Sequence, residues 1–174
     1  MGLNVRSRAF ALEDIPVEYT SDGRNISPPL EWTPGPEGTR SYALIMDDPD
    51  NPGGTWVHWV LWNIRGTHLP GHIACQPHVD TASGPVDQGR NSFGRIGYSG
   101  PCPPAGIHRY FFKLYALDTE LQLGPDTIKR DLLVAMEKHI LDHGEVMVTH
   151  SRARAIAARL VSMEKPWATR PTAR

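Results

Sequence analysis

The sequence has little of what marks specialised classes of protein. Its 174 residues include two cysteines, Cys75 and Cys102, which lie far apart and form no C-x-x-C pair. Two thiols can make one disulfide, but two reduced thiols are the simpler interpretation. No apolar run approaches the ~18 residues of a membrane span, and the N-terminus lacks the apolar stretch of a signal peptide. We therefore expect a cytoplasmic protein without stable membrane insertion.

An excess of charge of one sign is also lacking. The formal net charge is −1, so no overall field attracts nucleic acid or an anionic membrane. Nucleic acid is therefore not a predicted partner. Hydrophobic residues make up 40% and charged residues 21% of the chain, as in ordinary proteins that fold around one core. We expect a single domain over residues 1–174.

Glycine and proline, in contrast, are abundant, with 16 of each. This composition argues against a helix bundle and favours short strands joined by tight turns. Residues 16–38 are rich in turn formers and are predicted to lie on the surface as loops or short edge strands. Residues 65–107 show little periodicity, and long regions without regular elements often carry function.

Three segments have the composition of strands. Residues 40–46 form a short apolar run, residues 55–64 are rich in Trp and β-branched side chains, and residues 108–118 alternate most clearly. Side chains alternate across a sheet, so two sets are each expected to share a face. These sets are Trp56, His58, Val60 and Trp62 on one strand, and His108, Tyr110, Phe112, Leu114 and Ala116 on the other.

The last part of the chain has helical periodicity. Residues 126–142 are predicted to form a helix that ends at Gly144, with an apolar stripe at i, i+4 spacing. Residues 145–150 are predicted to form a short strand, and a second helix is expected from residue 151. A strand-rich body followed by late helices predicts a sandwich with peripheral helices.

Polar side chains gather where the first two strands meet. Asp48 and Asp50 flank Pro49, and proline keeps the preceding residue extended. The two carboxylates therefore form an i, i+2 pair on a common side. His58 follows within an otherwise apolar strand. This region is expected to present acids and an imidazole together.

A second polar region precedes the third strand. Residues 98–107 are rich in Gly and Pro and lead directly into His108 and Tyr110. Rigid prolines and permissive glycines can aim backbone N–H groups at one point, as in an anion-binding nest. Each feature alone also has a structural explanation: a hydrogen-bonded core histidine, a packing tyrosine, a turn or a stiff connection. Their joint occurrence in one pattern favours a functional site.

Two long blocks of sequence resemble the phosphatidylethanolamine-binding (Raf-kinase-inhibitor-like) family. DPDNPGGTWVHWVLWNI at residues 48–64 is similar to its signature, and GYSGPCPPAGIHRYFFKLYALD at residues 97–118 resembles a second signature of the bacterial and archaeal branch. The resemblance covers about residues 8–152. It implies a mainly β fold, an antiparallel β-sandwich with a few peripheral α-helices, and a small pocket for phosphate-like groups at one end.

Carried over by position, the resemblance also implies the residues of that pocket. The acids would be Asp48 and Asp50, Gly100 would keep the entrance open, and the prolines would shape the loop. The C-terminal helix that borders the pocket in the animal branch finds no clear match. His150 stands where an aromatic residue is expected, and no function is attached to it. The implied ligand-binding residues are Asp48, Asp50, His58, Gly100, Pro103, Pro104, His108 and Tyr110.

We therefore predict a non-catalytic protein that binds a small anionic ligand, such as phosphate or a phospholipid headgroup, and needs no cofactor. Asp48 would accept a hydrogen bond from an imidazole and favour its charged form. Anion affinity would then rise as the pH falls from about 8 to about 6, when His58 or His108 takes up a proton near the ordinary histidine range.

Other classes of function stay open at this stage. An enzyme could use Ser99 as a nucleophile, although no G-x-S-x-G motif is present. Two His and two Asp residues, His58, His108, Asp48 and Asp50, could hold a metal. The family name also suggests inhibition of a protease or kinase partner, by analogy alone, and a homodimer would be in keeping with the bacterial relatives.

Overall fold

The apolar segments of the chain pair into two antiparallel sheets in the computed structural model, which describes residues 2–10, 13–153, 156, 157 and 160. The strands in chain order are β1 (Val5–Arg6), β2 (Leu30–Trp32), β3 (Ser41–Asp48), β4 (Trp56–Ile64), β5 (His68–Leu69), β6 (His78–Thr81), β7 (Gly84–Gln88), β8 (His108–Leu117) and β9 (Ile140–His150). The larger sheet has the order β6-β7-β4-β3-β8-β9, and the smaller sheet has the order β1-β2-β5. The predicted mainly β sandwich is confirmed.

The centre of the large sheet comes from the three segments predicted as strands. All eight residues of β3 are buried, as expected for a strand that is paired on both edges and covered on both faces. It pairs with β4 on one side and β8 on the other. The turn-rich residues 16–38 contribute a 3₁₀ turn (Val17–Tyr19) and the short strand β2, in agreement with their composition.

Two apolar clusters lie on opposite faces of the large sheet. One fills the space between the two sheets and contains Trp32 and Leu69 from the small sheet with Met46 and Phe112 from the large one. The other lies beneath helix α1 (Lys129–Met136), whose Leu132 and Met136 side chains are buried there. Burial of these side chains, at about 25 cal/mol per Å² of apolar area, holds the layers together.

A β-bulge in β4 changes the predicted faces of that strand. Met46 pairs with Trp59, but the next residue of β3 pairs with Val57, so His58 is the extra residue. Beyond a bulge the alternation is shifted by one. Trp59 therefore joins the cluster between the sheets, whereas Val60 and Trp62 join the cluster beneath the helix. The prediction that Trp56, His58, Val60 and Trp62 share one face is wrong for this reason. The predicted face of β8 is confirmed.

The structure also corrects two predictions outside the central strands. The helix predicted over residues 126–142 ends at Met136, and β9 begins at Ile140. Residues 65–107 contain β5, β6 and β7 rather than few regular elements. The second helix predicted from residue 151 lies largely outside the described residues. Within the part of the chain that the structure describes, no helix has the length and apolar character needed to cross a membrane.

Candidate functional site

A buried histidine–carboxylate pair joins the ends of β3 and β8. Oδ2 of Asp48 lies 2.7 Å from Nδ1 of His108, and both side chains are almost entirely buried. The other carboxylate oxygen of Asp48 accepts a hydrogen bond of 2.8 Å from the backbone N–H of Asp50. With Asp48 ionised, Nδ1 of His108 must carry the hydrogen. The pair thus fixes the tautomer and orientation of the imidazole.

Asp50 faces away from this pair and binds Arg109. Its Oδ2 accepts hydrogen bonds of 2.9 Å from both the backbone N–H and Nε of Arg109, and its Oδ1 accepts one of 2.8 Å from Nη2. The hydrogen bonds from the side chain and backbone of Arg109 lower the pKa of Asp50 to about 2. Of the two predicted acids, the structure therefore brings only Asp48 to the buried cluster. Asp50 instead ties the loop after β3 to Arg109 on β8.

His58 occupies the bulge of β4 and bonds to the backbone of the Gly/Pro-rich loop. Its Nδ1 lies 2.6 Å from the carbonyl oxygen of Ser99, and since a carbonyl only accepts, Nδ1 carries the hydrogen. Burial lowers the pKa of His58, and the hydrogen bond to Ser99 offsets this only in part. His58 is therefore favoured as a neutral ring, with a lone pair on Nε2.

Tyr110 connects the two histidine regions. Its ring meets that of His58 edge to face, with 5.2 Å between centroids, and its exposed fraction is 0%. Burial and the nearby Asp48 carboxylate raise the pKa of Tyr110, so the hydroxyl keeps its proton. This hydroxyl makes no direct hydrogen bond to a described residue, although the Asp48 carboxylate and the backbone of Cys102 lie near enough to affect its pKa. Such a buried, unpaired donor is unusual in a folded protein.

The border of this cluster includes residues that sequence reasoning missed. The ring of Phe93 is 41% exposed and meets His58 edge to face at 5.5 Å. Trp56 meets the other side of Phe93 at 5.4 Å. The signal available in the sequence was a large aromatic residue within a polar loop, NSFGR. Phe93 thus contacts the buried His58 ring and is also exposed to solvent.

The Gly/Pro-rich loop is bound to a neighbouring loop. The backbone N–H of Gly100 donates to Oδ1 of Asn25 at 2.7 Å, and that of Ser99 donates to the carbonyl of His58 at 3.1 Å. A Cβ at Gly100 would lie 2.3 Å from the carbonyl oxygen of Tyr19, so the loops can approach only because residue 100 is glycine. These two N–H groups are occupied and add nothing to the predicted anion-binding nest.

The prolines implied by the resemblance differ in their placement. Pro103 is buried, whereas Pro104 is exposed. Cys102 between the loop prolines is also exposed, as is Cys75, and neither forms a disulfide. Among the described residues, no group of three or more His, Cys, Asp or Glu side chains is arranged to hold a metal ion. The set of His58, His108, Asp48 and Asp50 is therefore not assembled as a metal site in the described part of the chain, and Asp50 is bonded to Arg109.

Comparison with known proteins places this chain in a family. The phosphatidylethanolamine-binding protein family profile matches residues 6–151, close to the range of the resemblance. A UPF0098 protein of Methanothermobacter thermautotrophicus is 46% identical over 154 residues, covering 86% of this chain and 99% of the relative. One of Pyrococcus horikoshii is 45% identical, covering 87% and 78%. The chain belongs to the phosphatidylethanolamine-binding protein family.

Solved structures of relatives have the same fold. The Chlamydia trachomatis protein CT736, described as a homologue of the phosphatidylethanolamine-binding proteins, has a TM-score of 0.75 and 35% identity, over 86% of this chain and 97% of that one. YbcL of E. coli, described as a member of the mammalian family, has a TM-score of 0.75 and 30% identity, over 87% and 99%. This chain is thus a binding protein of that fold.

Proposed function

We propose that this protein is a non-catalytic binding protein whose buried cluster of Asp48, His108 and Tyr110 holds a phosphate-like group of a small ligand. The observation that carries the proposal is the buried hydroxyl of Tyr110, which has no partner among the described residues. Leaving such a group unpaired costs about 1–3 kcal/mol. The hydroxyl of Tyr110, kept at that cost near the imidazole of His108, is therefore suited to donate a hydrogen bond to an acceptor oxygen of a ligand.

The ligand is expected to bind together with a proton on His108. The Nδ1–H of that ring is bonded to Asp48, so Nε2 can donate to an anion only when the ring is charged. His58 donates through Nδ1 to Ser99, and burial lowers its pKa and so disfavours its charged form; we expect it to supply an acceptor or a packing surface. The pH dependence expected from the sequence is thereby assigned to His108.

A non-catalytic role is supported by the surroundings of Ser99. Oγ of this residue accepts a hydrogen bond of 3.0 Å from Nδ2 of Asn91. An amide cannot take the proton of a nucleophilic hydroxyl, so Asn91 cannot serve as a general base. Among the described residues, the imidazole bonded to Ser99 is that of His58, and it contacts the carbonyl oxygen of Ser99 and not the hydroxyl.

The family description names phosphatidylethanolamine, whose headgroup carries a phosphate, and the same chemistry occurs in free phosphate compounds. Titration calorimetry with inorganic phosphate, phosphoethanolamine and vesicles containing phosphatidylethanolamine separates these sources. Sulfate serves as a further probe because it does not titrate between pH 6 and 8. We expect sulfate affinity to rise as the pH falls over that interval.

Tyr110→Phe tests the proposal directly, with Tyr115→Phe as the matched control on the opposite face of β8. Loss of one hydrogen bond to a charged group predicts roughly tenfold weaker binding of phosphate for Y110F. The free energy of unfolding should stay level or rise by about 1 kcal/mol, since an unpaired buried group is removed. Y115F should bind as the wild type does. Equal phosphate affinities in all three proteins, or none in any, would overturn the proposal.

A further inference from the structure

A third buried histidine lies beside the proposed site. In the pairing of β8 with β9, His150 is directly opposite His108. Residues opposite each other in an antiparallel pair project to the same face, with Cβ atoms roughly 4.5–5.5 Å apart. Both side chains are buried, with exposed fractions of 5% each. Two histidines are therefore paired across the strands at the end of the sheet where Asp48 lies.

His150 has a carboxylate neighbour of its own. Its Nε2 lies 3.5 Å from Oδ2 of Asp22, whose Oδ1 is 3.2 Å from Nη2 of Arg152. Burial lowers the pKa of His150, and the hydrogen bond with Asp22 partly offsets this. The charged groups around this ring are Asp22, Asp14 and Arg152, and the titratable group across the strands is His108.

Asp22 belongs to a loop that is fastened to the Gly/Pro-rich loop of the site. The backbone N–H and the hydroxyl of Ser21 both donate to the carbonyl oxygen of Pro101, each at 3.0 Å. Tyr110 lies near Cys102 in the same Gly/Pro-rich loop. The loop that carries Asp22 and the loop that leads into His108 are thus joined. Both histidine–carboxylate pairs, His150–Asp22 and His108–Asp48, lie next to these joined loops.

We propose that His150, held beside Asp22, is a further residue that contacts the phosphate-like group of the ligand. This inference rests on the proposed function, because it adds a second imidazole to the same anion. Two adjacent imidazolium rings repel each other, whereas an anion that contacts both stabilises both charges. Ligand binding is then coupled to proton uptake by His150 as well as by His108.

The test is titration calorimetry with sulfate at pH 7 in two buffers of different ionisation enthalpy, which gives both the affinity and the number of protons taken up. His150→Gln keeps a nitrogen for Asp22 but cannot be charged, and His108→Asn does the same toward Asp48. The matched control is His139→Asn, from the exposed pair in which Nδ1 of His139 lies 2.7 Å from Oδ1 of Asp118.

We expect H150Q to bind sulfate about tenfold more weakly than the wild type and to take up fewer protons, while H139N matches the wild type in both. Long-range proton–nitrogen NMR spectra of the wild type should show the ring nitrogens of His150 moving to imidazolium values when sulfate is added. Because this NMR measurement uses the wild type, it tests the proposal even if H150Q folds poorly.

Two failures can be told apart. If H108N weakens sulfate binding but H150Q keeps the wild-type affinity and proton uptake, or the His150 resonances do not move, His150 is a packing residue and the inference is wrong. If the wild type binds neither sulfate nor phosphate, the proposed function itself fails.

Discussion

Two neighbouring carboxylates at the end of β3 have opposite environments. Asp47 projects to the face beneath helix α1, where its exposed fraction is 0%. Nζ of Lys113 lies 2.9 Å from its Oδ1, and Lys129 at the start of the helix is a second ion-pair partner. Asp48 projects to the other face and meets the titratable ring of His108.

The difference separates a structural from a functional acid. Around Asp47 both partners are lysine side chains, which join this strand to the neighbouring strand β8 and to the helix. Around Asp48 the side-chain partner is an imidazole, and the nearby hydroxyl of Tyr110 makes no direct hydrogen bond to a described residue. Under the proposed function, adjacent residues of one strand thus serve stability on one face of the sheet and binding on the other.

The largest expected effect is on stability, from Asp47→Asn. Removing one side of a buried ion pair costs up to 3–5 kcal/mol; because both lysines are partly exposed, we expect a loss of about 2–3 kcal/mol in the free energy of unfolding. Denaturant titration of D47N beside the wild type measures it. Phosphate affinity of the folded variant should be unchanged, and a loss of affinity without a loss of stability would remove the contrast between the two acids.

The matching substitution on the other face is Asp48→Asn. We expect it to lower phosphate affinity more than it lowers the free energy of unfolding. An amide can still accept a hydrogen bond from His108, but it carries no charge to balance an imidazolium. We expect phosphate to bind about tenfold more weakly or worse, which is about 1.4 kcal/mol, measured by calorimetry at pH 6. If D48N loses as much stability as D47N and binds normally, the assignment of roles is reversed.

A smaller effect is expected from His58 in acid. Because burial lowers its pKa in the folded state, its contribution to stability is complete above the unfolded value of about 6.5 and is lost as the pH falls below it. His58→Asn keeps a donor for Ser99 but does not titrate. The loss of stability between pH 7 and pH 5 should shrink by on the order of 1 kcal/mol.

The control for this experiment is the exposed His78, whose pKa is raised by its hydrogen bond to Asp87. A raised pKa gives stability that is present below about 6.5 and lost as the pH rises, which is the opposite sign. H78N should therefore not reduce the loss of stability in acid. Parallel behaviour of H58N and H78N would contradict the assignment of a buried neutral ring to His58.

Much of this architecture was predictable from the sequence. Alternating apolar residues over 108–118 and dense apolar runs at 40–46 and 55–64 specify buried strands, and these are the strands at the centre of the sheet. Only the family resemblance implied that Asp48 and His108 lie in one site, and it did not say which imidazole bonds to Asp48. Residues sixty positions apart meet by tertiary pairing that no local pattern encodes.

The parts that were missed depend on non-local packing. The stripe that continues to Ile140 favours a longer helix, but from Ile140 onward the chain pairs with β8, and tertiary pairing overrides helical propensity. Gly144 was interpreted as a helix stop. It lies within β9, where a Cβ would come 1.9 Å from the carbonyl oxygen of Leu3.

Single side-chain partners were equally beyond the sequence. A one-residue bulge at His58 leaves no mark in the composition of β4, yet it decides which face the ring takes. Asp50 binds Arg109 and does not join the buried cluster, because the guanidinium of Arg109 lies beside it on β8. Neither the bulge at His58 nor the contact of Asp50 with Arg109 can be predicted from hydrophobic periodicity.

The bonds between the loop at Asn25 and the loop at Gly100 set a condition on what can enter the site. Because Gly100 donates to Asn25 and Ser21 donates to Pro101, the two loops beside the proposed site are fastened to each other. Under the proposed function, we therefore expect a ligand to be selected by its fit between these loops, since one loop cannot move away without the other.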